Sequence, residues 1–182
     1  MVSKVFNIKR YKQANGFTLL ELMVTLAIAA IVLTIVVPSF TGMIVRNSLT
    51  SETNEFISAF NLARNEAIKL NQNTQLCQSA DGANCGASGS GGWQGWLIRD
   101  TTNRVIASGF FRENMTVTGT ENTDAIQFSS NGLVRNSTSG APLSGAITIC
   151  NPSNQVDENA RVINFVSGGR VSVSATAIEG CS

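Results

Sequence analysis

Hydrophobic and polar positions divide the chain into three textures. From Phe17 to Phe40 the sequence FTLLELMVTLAIAAIVLTIVVPSF is apolar all round, with Glu21 as its single charge. At about 1.5 Å per residue, a helix of this stretch reaches roughly 36 Å, enough for a hydrocarbon core of about 30 Å. Pro38 removes a donor and crowds the preceding turn, which predicts a kink or a loosened turn, and Gly42 is a second weak point. Helical spacing then resumes through Leu49, Thr53, Phe56, Phe60, Ala63, Ala67 and Leu70. Glu52, Glu55, Asn61, Arg64, Asn65 and Lys69 are read as the opposite, solvated face. The stripe needs a sheet to cover it.

Beyond Asn71 the pattern changes to short β-branched or aromatic runs separated by Gly, Asn and Ser. Strands are predicted at residues 74–78, 93–99, 104–110, 115–118, 125–129, 133–135, 146–150, 161–165 and 171–175. Asp100-Thr101-Thr102-Asn103 reads as a hairpin loop, and Asn131-Gly132 as a tight turn. Trp93 and Trp96 differ in parity along one predicted strand, so one is expected to face the core and the other away from it. The glycine-rich stretch Asp81–Gly92 has neither a GK[ST] sequence nor a strand–loop–helix frame, so it reads as a surface loop and not a phosphate cradle. The fold class expected is α+β, with one long amino-terminal helix, transmembrane in its first half, packed on an antiparallel β-sheet domain.

Composition narrows the function. The chain has 182 residues, 43% of them hydrophobic and 14% charged, which excludes a disordered chain and allows one domain with an appendage. The net charge of +1 is uneven: Lys4, Lys9, Arg10 and Lys12 precede the apolar run with no acid among them. Subtracting those four from thirteen basic residues leaves nine against twelve acidic, a remainder of −3. A globally basic nucleic-acid binder is therefore disfavoured. The basic cluster predicts a cytoplasmic amino terminus, with the rest of the chain across the membrane. Histidine is absent, which removes the usual general base, the commonest metal ligand and every Ser–His or Cys–His pair. Asp157-Glu158 are neighbours that point apart on an extended segment and read as a solvated loop. The expectation is a non-enzyme with no cofactor, no metal and no small-molecule substrate.

The four cysteines, Cys77, Cys85, Cys150 and Cys181, match no zinc spacing and contain no C-x-x-C. In a periplasmic domain an even count reads as two disulfides, with three connectivities open. The pairing favoured is Cys77 with Cys85, closing the glycine-rich loop, and Cys150 with Cys181, tying the carboxy-terminal segment to a strand; four free thiols are the alternative.

A secretory signal would place its small-x-small site, Ala27-Ile28-Ala29, inside the apolar run, so an uncleaved anchor fits better. A plain anchor leaves Glu21 unexplained, because a carboxylate costs about 2.5–3.5 kcal/mol at mid-bilayer, less where it reaches interfacial water. The sequence Lys12-Gln13-Ala14-Asn15-Gly16, then Phe17-Thr18-Leu19-Leu20-Glu21, resembles the leader and cleavage site of type IV prepilins. That resemblance implies a leader of residues 1–16, cleavage between Gly16 and Phe17 by a prepilin peptidase, and N-methylation of Phe17. It gives Glu21 a role in subunit assembly, meeting the new amine of a neighbouring chain. It also implies a hydrophobic assembly helix over 17–40, an amphipathic half over 41–72 and a periplasmic β-rich domain over 73–182, anchored by a single pass in a bacterial inner membrane.

Three further pieces, Ala63-Arg64-Asn65-Glu66-Ala67-Ile68, Gly92-Trp93-Gln94-Gly95-Trp96-Leu97-Ile98-Arg99-Asp100 and Ile126-Gln127-Phe128-Ser129-Ser130-Asn131-Gly132, are similar to minor pilins of the H-type pseudopilin and FimT/FimU group. The function implied is a minor pilin or pseudopilin that assembles into, or initiates at the tip of, a type IV pilus or a type II secretion pseudopilus. Its implied partners are other minor and major pilins or pseudopilins. The alternative is a DNA receptor for uptake, since some FimT-like relatives bind DNA through a Gly-Arg-x-Arg segment. Here that segment reads Gly169-Arg170-Val171-Ser172, which leaves Arg161 and Arg170 as the possible DNA contacts.

Overall fold

The computed structural model describes residues 16–86, 92–153 and 155–181; within it, the side chains of residues 35–39 are outside the description. Residues 1–15 of the predicted leader, the middle of the glycine-rich loop and the Pro38 side chain therefore lie outside the described residues. The chain divides into an amino-terminal unit that ends at Ser39 and a second unit, Phe40–Ser182. One helix, α1 (Leu19–Leu70), is assigned through both, and its helical backbone continues through Pro38. Among the described residues no helix is long and apolar enough to cross a membrane. The described side chains of the apolar stretch stop at Thr34 before the gap.

In the second unit α1 buries Val45, Leu49, Phe56, Phe60, Ala63 and Ala67, spaced by three, four or seven residues, which keeps them on one stripe. The helix stops because Asn71 takes a left-handed conformation (φ 50°). The Gln72 amide then bonds the Ala67 carbonyl, and the Asn71 amide bonds that of Ile68, each at 3.2 Å. This is the Schellman pattern, with Asn in place of Gly. The buried Thr74 hydroxyl donates back to the Ala63 carbonyl at 2.7 Å, so the chain leaving the helix is tied to it as the first strand begins.

Nine strands follow: β1 (Thr74–Gln78), β2 (Gly95–Asp100), β3 (Val105–Phe110), β4 (Thr116–Gly119), β5 (Ala125–Phe128), β6 (Val134–Asn136), β7 (Gly145–Cys150), β8 (Ala160–Phe165) and β9 (Val171–Thr176). They form two antiparallel sheets, where the sequence led us to expect one. The first has the order β3-β2-β1-β5-β6, the second β4-β7-β8-β9. The chain changes sheets after β3: β4 pairs β7, with Thr116 opposite Cys150 and Gly119 opposite Ile147. Leu76, Ile98, Ile126 and Phe128 from the first sheet, and Ile147, Ile149, Ile163 and Phe165 from the second, join the helix in one core. Phe60 sits at the meeting point. Its ring lies edge-on to Phe128 at 4.8 Å between centroids and tilted against Phe165 at 5.5 Å.

Three local readings need correction. Trp93 and Trp96 do not divide between two faces, since both join the core that α1 covers; β2 begins at Gly95, so Trp93 lies before the strand and packs edge-on against Phe56 at 5.5 Å. Glu52 is not on the solvated face of α1. It is 4% exposed, paired with Arg112 Nε at 3.1 Å, while Arg112 Nη1 donates to the Ser48 hydroxyl. Burial raises the Glu52 carboxyl above its usual range and Glu55 adds to this, against the pull of Arg112. Its Oε2 is buried with no hydrogen-bond partner. Arg64 is the third, taken up below.

The β2–β3 loop is built on Asp100. Its Oδ1 accepts the Thr102 and Arg104 amides and the Thr102 hydroxyl, and its Oδ2 accepts Arg104 Nε at 2.9 Å. Asn103 supplies the positive φ (62°) that the turn requires. Hydrogen bonds from the Thr102 side chain and then Arg104 hold the Asp100 carboxyl well below the usual carboxylate range. The folded group therefore titrates below the unfolded one. Its stabilisation is complete above the unfolded value near 4 and is lost as pH falls through that value toward the folded one. Asp100→Asn is expected to melt below wild type at pH 7, with the gap closing as pH drops below about 3. A gap that stays constant with pH contradicts this account of the loop.

Candidate assembly site

The amino-terminal unit starts with Gly16 and Phe17 outside the helix; Phe17 is 78% exposed, and a Cβ at Gly16 would meet nothing within 4 Å. Thr18 caps α1: its Oγ1 accepts the Glu21 amide at 3.2 Å, and its carbonyl accepts that of Leu22. Glu21 thus occupies the third helical position, where a carboxylate faces the positive end of the helix dipole. The cap is legible in the sequence as Thr18-x-x-Glu21.

Around Glu21 the unit shows apolar side chains on every side. Leu19, Leu20, Met23, Leu26, Ile31 and Leu33 are each more than half exposed. A helix apolar all round has no place in water. Among the described residues of this unit, nothing covers these side chains.

In the second unit two of the stretches that carried the resemblance, 63–68 and 126–132, meet at Arg64. This side chain, read from sequence as solvated, is half-buried. Its Nε donates to the Gly132 carbonyl at 3.0 Å and its Nη1 to that of Gly169 at 3.3 Å. Gly132 closes the β5–β6 turn and Gly169 the β8–β9 turn, so one guanidinium joins the helix to a turn from each sheet. Both glycines have positive φ (75° and 76°), and a Cβ on either would come within 3.0 Å of the Arg64 side chain. Only glycine satisfies both demands.

Cysteine places Cys77 beside Cys85 and Cys150 beside Cys181 as disulfides, with Cα–Cα separations of 5.6 and 6.0 Å. Cys77 opposes Leu97 on the far side of the first sheet, where both are fully buried. Between Cys77 and Cys85, Asp81 accepts the Ala83 and Asn84 amides and the Asn84 side chain, which keeps its carboxyl well below the usual range. Arg161 and Arg170 are not brought together. Arg161 opposes Ala175 at one end of the β8–β9 hairpin, whereas Arg170 lies in the turn at the other, roughly 17 Å away at about 3.4 Å per residue. Arg161 is further occupied by the carbonyls of Glu158 and Ala160. Asp157 and Glu158 are both exposed. Among the described residues no group of His, Cys, Asp or Glu is arranged to hold a metal.

Comparison with known proteins agrees with this geometry. A search of curated proteins finds no match. The crystal structure of the type IV minor pilin FimU from Pseudomonas aeruginosa is similar in two crystal forms. The TM-scores are 0.53 and 0.54 and the identities 17% and 20%, over 74% and 75% of this chain and 100% and 97% of that one. The minor pseudopilin EpsH from the type 2 secretion system of Vibrio cholerae is similar with a TM-score of 0.50 and 12% identity, over 70% of this chain and 97% of that one. At such identities the likeness is one of fold. The prokaryotic N-terminal methylation motif matches residues 11–37, which include Gly16, Phe17 and Glu21. Residues 52–175 match the family of the type II transport protein GspH, and over that span, more than half of its length, the chain belongs to this family of minor pilins and pseudopilins.

Proposed function

We propose that this minor pilin or pseudopilin is cut between Gly16 and Phe17 by a prepilin peptidase and N-methylated at Phe17. It is then drawn from the bacterial inner membrane, where it sits by a single pass with its β-rich domain in the periplasm. It joins a type IV pilus or a type II secretion pseudopilus at or near the tip, beside other minor and major subunits. The observation that carries this reading is the amino-terminal unit itself: an accessible Gly16–Phe17 bond, then a helix apolar on all sides with one acid in its first turn.

The chemistry follows from that arrangement. Cleavage leaves a cationic amine on Phe17. Two unit charges about 4 Å apart attract by roughly 4 kcal/mol at an effective dielectric near 20, so Glu21 of one chain and the amine of the next set a register between otherwise featureless apolar helices. Catalysis by this chain has no part in the scheme. The DNA-receptor alternative draws no support from Arg161 and Arg170, which lie at opposite ends of one hairpin.

Gly16→Leu is the direct test. The variant is expected to accumulate as the longer precursor with an unmethylated amino terminus and to be missing from filaments. Unchanged migration together with a mature terminus at Phe17 overturns the peptidase assignment.

A further inference from the structure

The outward face of the first sheet carries a feature that assembly does not use. Across β2, β1, β5 and β6, the register sets Arg99 opposite Gln75, Gln75 opposite Gln127, and Gln127 opposite Arg135. Directly opposed residues share a face. This one points away from α1, because Leu76, Ile98, Ile126 and Val134 fill the other. The result is a row of planar polar groups, Arg-Gln-Gln-Arg, whose ends are about 14 Å apart at roughly 4.8 Å per strand. All four side chains are half-buried. Arg99 Nε donates to Gln75 Oε1 at 2.7 Å. Among the described residues neither arginine is in an ion pair, and the Gln127 amide has no hydrogen-bond partner. Asp100, the one acid beside the row, is neutralised by Arg104.

A surface depression of about 290 Å³ lies at the Arg99 end of this row, lined by Gln75, Arg99 and Gln127 with Asp100, Thr101 and Ser137; Arg135 stands outside its lining. No aliphatic or aromatic residue contributes to it. Sites for drug-like ligands and cofactors are mostly apolar. A wholly polar trough suits a hydrated chain rich in hydroxyls, which side-chain amides bind through paired donors and acceptors. The guanidinium of Arg99 in the trough and that of Arg135 at the far end of the row suit carboxylates, which arginine grips through two parallel hydrogen bonds.

We propose that this face binds an acidic polysaccharide, with uronate carboxylates on Arg99 and Arg135 and sugar hydroxyls on Gln75 and Gln127. Nucleic acid fits less well. Duplex DNA carries a charge about every 1.7 Å, against a chain that is −3 once the leader is gone. The trough also lacks the aromatic platform that single strands stack upon. A uronate chain carries one carboxylate per sugar ring, a lower charge density than duplex DNA, so it meets less of that repulsion while two separated arginines hold it. The inference rests on the filament reading only in needing this face left open to solvent in the assembled subunit.

The test uses the full chain in detergent with a fluorescent oligogalacturonate. Wild type is expected to bind it, and the same oligomer with its carboxyls reduced to alcohols about ten-fold or more weakly. Arg99→Gln with Arg135→Gln should weaken binding by a similar factor. Gln127→Glu, at a half-buried position of the outward face, sets a carboxylate between the arginines and should do likewise with an unchanged melting temperature. No binding by wild type, equal binding by all three proteins, or tighter capture of a labelled single-stranded oligonucleotide overturns the proposal. Both variants should enter filaments normally. Lost binding with normal assembly separates this face from the Glu21 mechanism, and wild-type glycan binding by a chain that fails to assemble would sink the filament reading alone.

Discussion

Glu21→Ala is expected to reach the membrane fraction at wild-type level, with its leader removed, and to fall about ten-fold or more in sheared filaments. The Coulomb scale of roughly 4 kcal/mol for a close pair exceeds the 1.4 kcal/mol that a ten-fold change requires. Two roles compete for this residue. The structure places it in the first turn beneath the Thr18 cap, where it also favours the local helix end. Thr18→Ala separates them, because it removes the cap, worth about 1 kcal/mol, and keeps the charge. If assembly depends on the charge, Thr18→Ala assembles nearly as wild type while Glu21→Ala does not. Equal losses in the two variants would make the residue a helix-starter and remove the intersubunit pair from the mechanism.

Phe60→Ala is expected to be the most destabilising single truncation in the second unit, by about 3–5 kcal/mol. Phe60 is 1% exposed and is the ring that touches an aromatic from each sheet. Its loss removes both ring pairs and leaves a cavity where helix and sheets meet. For a domain of this size the melting temperature should fall on the order of 10 °C. Leu62→Ala, two residues on at a 37% exposed position, is the control and should move it by a degree or two. Comparable shifts for the two would mean that the core is not organised about residue 60.

The residues that were misread show which physical signals the sequence carries. The strands were legible because β-branched runs broken by Gly, Asn and Ser report local backbone preference, and that preference decides where an extended segment begins and ends. Their pairing was not legible. Nothing local to Thr116–Gly119 says that it will leave its neighbours and pair with Gly145–Cys150, so two sheets were expected as one. Glu52 lies three residues after Leu49 and four before Phe56, and Arg64 four after Phe60 and three before Ala67. Spacing placed both on the buried stripe, but their charge was weighed more heavily. Each is accommodated by a distant partner, Arg112 for one and the Gly132 and Gly169 carbonyls for the other. Such partners are set by tertiary contact and leave no periodic trace.

The candidate assembly site divides in the same way. The Gly16–Phe17 bond and Glu21 were evident because they are contiguous in sequence and stand against a featureless apolar background. The row Arg99, Gln75, Gln127 and Arg135 was invisible, since its members come from four strands and acquire a common face only through register. Trp93 was assigned by parity to a strand that starts two residues later, so the alternation argument did not apply to it.

The guanidinium of Arg64 lashes two turns to one helix, and Phe60 sits one helical turn earlier against both layers. Tension carried along α1 therefore arrives in the two layers together, over a span of five residues, and is resisted in parallel. A subunit loaded through its helix in this way shares the strain between both halves of its head, where attachment to a single strand would let one layer peel from the other.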